Sequence, residues 1–183
     1  MEKKLIGIAG MPGAGKSLVA EYLKQAGHSI VVMGDVIRAK AKQRGLKPTP
    51  ENLGEVMLKI RRDEGPGAVA RHCIPKIRKM GSPVVVIDGV RSLEEVEEFK
   101  KEFPDFTLIA VHCSPRNRFK RLYARERSDD PALWTEFLER DLRELKVGLG
   151  SAIAMADHII INEGPKTQLA SATKRLIGRI AQE

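Results

Sequence analysis

Gly10-Met11-Pro12-Gly13-Ala14-Gly15-Lys16-Ser17 is the stretch that decides the fold of this chain. The octet satisfies GxxxxGK[ST] at every required position. Before it runs Leu5-Ile6-Gly7-Ile8-Ala9, which reads as a fully buried strand. After it, Leu18, Val19, Tyr22, Leu23 and Ala26 recur at helical spacing until Gly27 supplies a stop. Strand, glycine-rich turn and helix in that order make a phosphate-binding loop. The glycines let several main-chain N–H groups point into one anion-sized hollow. The helix start at Gly15-Lys16 adds its partial positive charge. Gly10 to Ser17, together with Leu18, are therefore the expected nucleotide-binding residues. Lys16 would place a cation on the β- and γ-phosphates, and the Ser17 hydroxyl would ligate Mg²⁺.

Working outward, short apolar runs alternate with longer helical patterns. Strands are expected at Ile30–Met33, Val84–Ile87, Thr107–Val111 and His158–Ile161, and a last helix from about Lys166 to Ile180. The alternation predicts an α/β P-loop NTPase fold with a five-stranded parallel sheet flanked by helices. We read residues 1–183 as a single domain. Residues 34–80 form a helical lobe broken at Lys47-Pro48-Thr49-Pro50 and Gly65-Pro66-Gly67, and residues 114–140 form a short lid region. Ligands of open α/β sheets bind at the carboxyl ends of strands. The run Val84-Val85-Val86-Ile87-Asp88-Gly89 ends a buried strand in a carboxylate, which makes Asp88 the second expected metal residue. Ser92 is the better-placed cap of the helix that follows.

Composition narrows the function classes. Of 183 residues, 42% are hydrophobic and 31% charged, and no apolar run approaches the roughly 20 residues of a membrane helix. The apolar stretch near the start ends after about six residues, short of the roughly seven a signal peptide needs. Cys73 and Cys113 are far apart and have no CxxC partner, which excludes a disulfide scaffold or zinc finger; a cytoplasmic, reducing location is expected. Lys and Arg number 32 against 24 Asp and Glu, a formal net charge of +8, which suits an anionic partner. Aromatics at 4% supply little for stacking single-stranded bases. His28, His72, His112 and His158 show no paired metal-ligand spacing, and His112-Cys113 reads as a packed strand end. Tyr22, Tyr123 and Trp134 read as local packing. Scarce Asn and Gln beside abundant Lys, Arg and Glu fit a heat-adapted source.

Further along, the residues resemble a known family. Met33-Gly34-Asp35-Val36-Ile37-Arg38 is similar to the TGDxxR element of adenylate kinases, with Met33 at the threonine position. Asp88-Gly89-Val90-Arg91 looks like a shortened DGFPR, its arginine one position early and its proline missing. Arg121 and Arg125, one helical turn apart, resemble the arginines that enter an adenylate-kinase lid. Arg127-Ser128-Asp129-Asp130 resembles RxDD, and Arg140 stands about where the next phosphate-binding arginine falls. The lid between Arg125 and Arg127 is almost absent, so the resemblance is to a short-lid enzyme without a zinc-binding insert. The tail from Met155 to Gly164 is closer to the AD-x-x-I-x-N-x-G ending of dephospho-coenzyme A kinases. Taken whole, the chain most closely resembles a group of archaeal P-loop proteins described as adenylate-kinase-like or dephospho-coenzyme A kinase-like.

That resemblance implies an ATP-binding phosphotransferase, moving the γ-phosphate of Mg-ATP to a nucleotide or nucleotide-like acceptor. It implies catalytic roles for Lys16, Arg121, Arg125, Arg127, Arg140 and Asp35, and acceptor contacts from Asp35, Arg38 and Arg91. Asn162, just after the fifth strand, would lie where related kinases hold the adenine ring. Arginine suits such sites because its planar fork binds two phosphate oxygens and stays charged. Helical spacing also puts Arg118 with Arg121 and Arg125, away from Phe119 and Leu122, as one basic stripe. Arg61, Arg62 and Arg71 fall in the acceptor lobe without a motif to choose among them. A phosphate acceptor needs no base, whereas a hydroxyl acceptor, as in dephospho-coenzyme A, needs a carboxylate such as Asp35. Arg38 favours the first and the tail favours the second; the balance leans to a phosphate acceptor. The competing class is a nucleotide-dependent switch or ATPase holding RNA or DNA, the less favoured partner. No NKxD element of a guanine-specific GTPase is present.

Overall fold

The computed structural model describes residues 3–125 and 130–180. Its centre is a five-stranded sheet in the order β2-β3-β1-β4-β5, made of β1 (Lys4–Ala9), β2 (Ser29–Val32), β3 (Val84–Asp88), β4 (Phe106–His112) and β5 (His158–Ile161). Every pairing is parallel. Parallel strands joined by crossover helices are covered on both faces, which is why β1, β3 and β4 read as continuous apolar runs.

Side-chain alternation divides the core in two. Leu5, Ala9, Val85, Ile87 and Leu108 face one layer, while Ile6, Ile8, Val86, Ile109, Val111 and Ile160 face the other. The first layer holds α2 (Gly34–Gln43), α3 (Pro50–Glu64), α4 (Ala68–Lys79), α5 (Leu93–Glu102) and α8 (Leu149–Ala154). Phe99 of α5 stacks on Phe106 of β4 there, ring centroids 5.9 Å apart. The second layer holds α1 (Lys16–Gln25) and α9 (Lys166–Ile180). Two further helices, α6 (Pro115–Arg125) and α7 (Trp134–Val147), follow β4 and cover the strand ends near the loop.

Local chemistry sets the helix starts. Thr49 caps α3 by accepting from the Asn52 N–H at 3.3 Å, with Pro50 at the first helical position. Ser92 caps α5 by accepting from the Glu95 N–H, also at 3.3 Å. No helix among the described residues is long and apolar enough to cross a membrane.

Candidate active site

The loop from Gly10 to Gly15 joins the carboxyl end of β1 to the amino end of α1. Gly15 has φ of +106°, and a side chain there would run into the Asn162 amide. A Cβ on Gly13, at φ of +79°, would lie 2.9 Å from the Arg118 carbonyl oxygen. Glycine is required at both positions on two counts, backbone conformation and space. No side chain caps α1, so the N–H groups of Lys16 and Ser17 at its start stay open to an anion.

Lys16 lies over this hollow, its Nζ donating to the Gly10 carbonyl at 2.6 Å and to the Met11 carbonyl at 3.3 Å. Burial lowers its pKa to about 8, against an opposing pull from Asp88. Asp88 ends β3 beside the loop at 8% exposure. Burial raises its pKa, opposed by Lys16, Arg91 and a hydrogen bond from Ser17. Ser17 and Asp88 therefore meet at the mouth of the loop and fit a Mg²⁺ ion. Among the described residues no group of three or more His, Cys, Asp or Glu converges. An ion here would take its remaining ligands from phosphate and water, as Mg²⁺ usually does.

A cavity of about 850 Å³ opens over the loop, walled by Lys16, Ser17 and Leu18 on one side and Arg121, Arg125 and Arg140 on another. A second of about 450 Å³ lies toward α2 and α3, with Met33, Ile37, Leu53 and Met57 as apolar wall and Arg38, Arg61 and Arg143 as charged wall. Arg91, Arg140 and Glu144 line both, so the two chambers adjoin. Both volumes suit small ligands.

The arginines split into distinct roles. Arg121 Nη2 reaches the Asn162 side-chain oxygen at 3.5 Å, while its Nη1 is buried without a partner. Arg125 grips Asp130 through Nε at 2.8 Å, and Arg140 stands 3.6 Å from the same carboxylate. Arg127 lies outside the described residues. Arg91 donates to Glu144 at 3.0 Å and to the Met57 sulfur at 3.3 Å. Arg38 lines the second cavity and is ion-paired with Asp35, which is half exposed and lines neither chamber.

Asn162 is buried beneath the loop, donating to the Ala14 carbonyl at 2.8 Å. This contact supports the loop from below, and Gly164, Pro165 and Lys166 continue the cavity wall beyond it. Arg118 leaves the expected basic stripe. It is buried, paired through both terminal nitrogens with Asp141 at 2.8 and 2.5 Å. It also donates to the carbonyls of Pro12 and Cys113, each at 3.1 Å, and its guanidinium sits 4.8 Å from the Phe137 ring centroid. Helical spacing separates Arg118 from Phe119 but carries no information about α7, which covers that face.

Three further groups escape a sequence reading. Glu95 is fully buried, accepting from the Arg91 N–H at 2.7 Å and from Arg61 at 2.5 Å. Burial raises its pKa, with Arg61 opposing. The Ser92-x-x-Glu95 spacing is a capping-box pattern and flags this glutamate, although its carboxylate serves Arg91 instead of the cap. Arg61, 12% exposed, keeps Nε and Nη1 buried and unpartnered at the second cavity, while Arg62 is exposed and Arg71 binds Glu98 and the Glu64 carbonyl. Of the three lobe arginines, the structure puts Arg61 at the chamber. Glu163 accepts from the Ser114 N–H at 2.5 Å, the Ser114 hydroxyl at 3.1 Å and the Asn117 amide at 2.6 Å. It thereby ties the loop after β5 to the start of α6, and these bonds lower its pKa to about 2.

The chain and its fold are similar to those of known proteins. Residues 9–136 match the AAA domain family. A UPF0200 protein of Pyrococcus furiosus is 51% identical over 177 residues, spanning 94% of this chain and 95% of that protein. Among solved structures, shikimate kinase from Acinetobacter baumannii in complex with shikimate superposes with a TM-score of 0.60 at 17% identity, covering 97% of this chain and 94% of that one. A gluconokinase from Sinorhizobium meliloti 1021 gives 0.57 at 14% identity, covering 98% and 94%. Those likenesses establish a P-loop kinase fold: five parallel strands flanked by helices. The chain belongs to the AAA domain family and to the UPF0200 proteins.

Proposed function

We propose that the protein is a phosphotransferase that binds Mg-ATP in the larger chamber and passes its γ-phosphoryl group to a small molecule in the smaller one. The observation that carries this reading is the pair of adjoining cavities, one floored by the phosphate loop and Lys16, meeting at Arg91, Arg140 and Glu144. A hydrolase needs one chamber open to water; a transferase needs two that share a wall where the moving group crosses.

The residues divide the labour. Main-chain N–H groups of Gly13, Gly15, Lys16 and Ser17 would cradle the phosphates, and Lys16 would exchange its contacts with Gly10 and Met11 for phosphate oxygens. Ser17 and Asp88 would hold Mg²⁺, which when bound neutralises charge on the phosphate tail. Arg121, Arg125 and Arg140 would close over the transferring group as the lid, residues 114–140. Phosphoryl transfer asks mainly for positioning and positive charge, and these side chains supply both. Residues 34–80 would form the acceptor lobe, with Arg38 and Arg61 offering charge to an anionic acceptor, a nucleotide or a nucleotide-like molecule. Asp35, held by Arg38, would orient that arginine.

The test is a thermal-shift screen of candidate acceptors in the presence of a non-hydrolysable ATP analogue, followed by transfer of labelled γ-phosphate. Stabilisation by an acceptor that depends on the analogue, with label appearing in that acceptor, is the expected result. ATP turnover stimulated by polynucleotide, with salt-sensitive polynucleotide binding and no small-molecule acceptor, would instead identify a nucleic-acid-associated ATPase.

A further inference from the structure

Glu144 is a carboxylate where a phosphoryl group is expected to cross. Its side chain, 14% exposed, projects from α7 to the seam and lines both chambers. One oxygen accepts from Arg91 at 3.0 Å; the other, Oε2, is buried with no hydrogen-bond partner. Leaving a buried acceptor unpaired costs about 1–3 kcal/mol, and more for a charged group. The ion pair with Arg91 explains one oxygen and leaves Oε2 unexplained by packing.

Building on the phosphotransferase reading above, we propose that Glu144 takes the proton from a hydroxyl acceptor, so that the substrate of the smaller chamber is an alcohol. A phosphate acceptor brings an oxygen that is already ionised and needs no base, so a carboxylate at the crossing point would be idle with it. A hydroxyl needs what the Glu144 carboxylate offers: an unfilled acceptor site on the wall shared by both chambers, held in place through Arg91. Asp35, the carboxylate that the sequence offers for this task, is tied to Arg38 and lines neither chamber. In the step, the acceptor O–H bond breaks and its proton passes to the Glu144 carboxylate. The oxygen lone pair forms the new bond to the γ-phosphorus, and the bond from that phosphorus to the β-phosphate oxygen breaks. That oxygen keeps the electron pair, ADP leaves, and the proton returns from Glu144 to solvent.

Water is itself a hydroxyl acceptor, so the test does not wait for the natural substrate. Turnover of Mg-ATP is measured with water alone, with dephospho-coenzyme A, nucleosides and sugars, and with nucleoside monophosphates, using the native chain, Glu144→Gln and Glu144→Asp. Affinity for the non-hydrolysable ATP analogue is measured on all three. Glu144→Gln should keep or gain analogue affinity, since it removes a negative charge near the phosphates, while transfer to water and alcohols falls about 10²- to 10⁴-fold. Glu144→Asp should recover part of the loss. The proposal is overturned if Glu144→Gln turns over like the native chain, if it loses analogue affinity, or if only nucleoside monophosphates accept the label. It is also overturned if the native chain binds the analogue and transfers to no hydroxyl. Failure of the native chain to bind the analogue sinks the phosphotransferase reading as well, which separates the two.

Discussion

Lys16 is the residue whose protonation is most altered by its surroundings among those at the phosphate loop. Its amine, held near pKa 8 by burial, must be charged to bind a triphosphate, and the incoming phosphates favour that charged form. Affinity for an ATP analogue should therefore hold at pH 7 and fall as pH rises through 8. By pH 9 the loss should be roughly tenfold, with proton uptake on binding. Calorimetric titration in buffers of different ionisation heat reads both; a flat profile between pH 7 and 9 would contradict it. At this scale the phosphate loop was legible because its chemistry lies in consecutive residues. Glu95, Arg61 and Glu144 were not, because a charged side chain declares its role only once tertiary structure names its partner. Arg118 shows the reverse error: helical spacing gave it to a basic stripe with Arg121 and Arg125, and Asp141 across on α7 claimed it.

Elements meet the loop through two clamps. Arg118 joins α6 to α7 and to the Pro12 carbonyl of the loop. Replacing it with Ala strands Asp141 in a buried site, and such losses cost about 3–5 kcal/mol. Urea denaturation should show a lower midpoint for Arg118→Ala, with weaker analogue binding from the loosened loop; an unchanged midpoint would show the pair to be incidental. The second clamp, Glu163 to the start of α6, carries a pKa lowered from 4.5 to about 2. A lowered carboxylate stabilises the fold above its unfolded value and loses that contribution as pH falls through the folded one. The stability difference between native chain and Glu163→Gln should therefore be full above about pH 5 and vanish toward pH 2 in thermal melts; a difference that is constant with pH would contradict this. The bounds of β5 and α9 agree with their sequence patterns, as does the Ser92 cap of α5, because each is set by local signals. The separation of α7 from α8 depends on Gly148 at φ of +108°, a break that apolar spacing alone does not announce.

For the whole molecule, the proposed transfer between adjoining chambers would call for closure. An open seam would let water compete as acceptor, and excluding it would bring residues 34–80 and the helices α6 and α7 together. Small-angle scattering should show a smaller radius of gyration with a bisubstrate analogue than without ligand, and identical profiles would count against closure. Alternating strand and helix patterns made the parallel α/β class readable. The strand order β2-β3-β1-β4-β5 was not, since pairing of distant segments leaves no mark on either strand alone. Paired charge also holds the site's framework: Arg61, Arg91 and Arg118 answer Glu95, Glu144 and Asp141, so the net +8 is left to other residues. All of this rests on a triphosphate seated in the loop. The most direct measurement is calorimetric binding of a non-hydrolysable ATP analogue with Mg²⁺ to the native chain and to Lys16→Met, with circular dichroism confirming that both are folded. The account predicts binding by the native chain and a loss of at least about 100-fold, near 2.7 kcal/mol, in the variant. Equal affinity in the two proteins would contradict it.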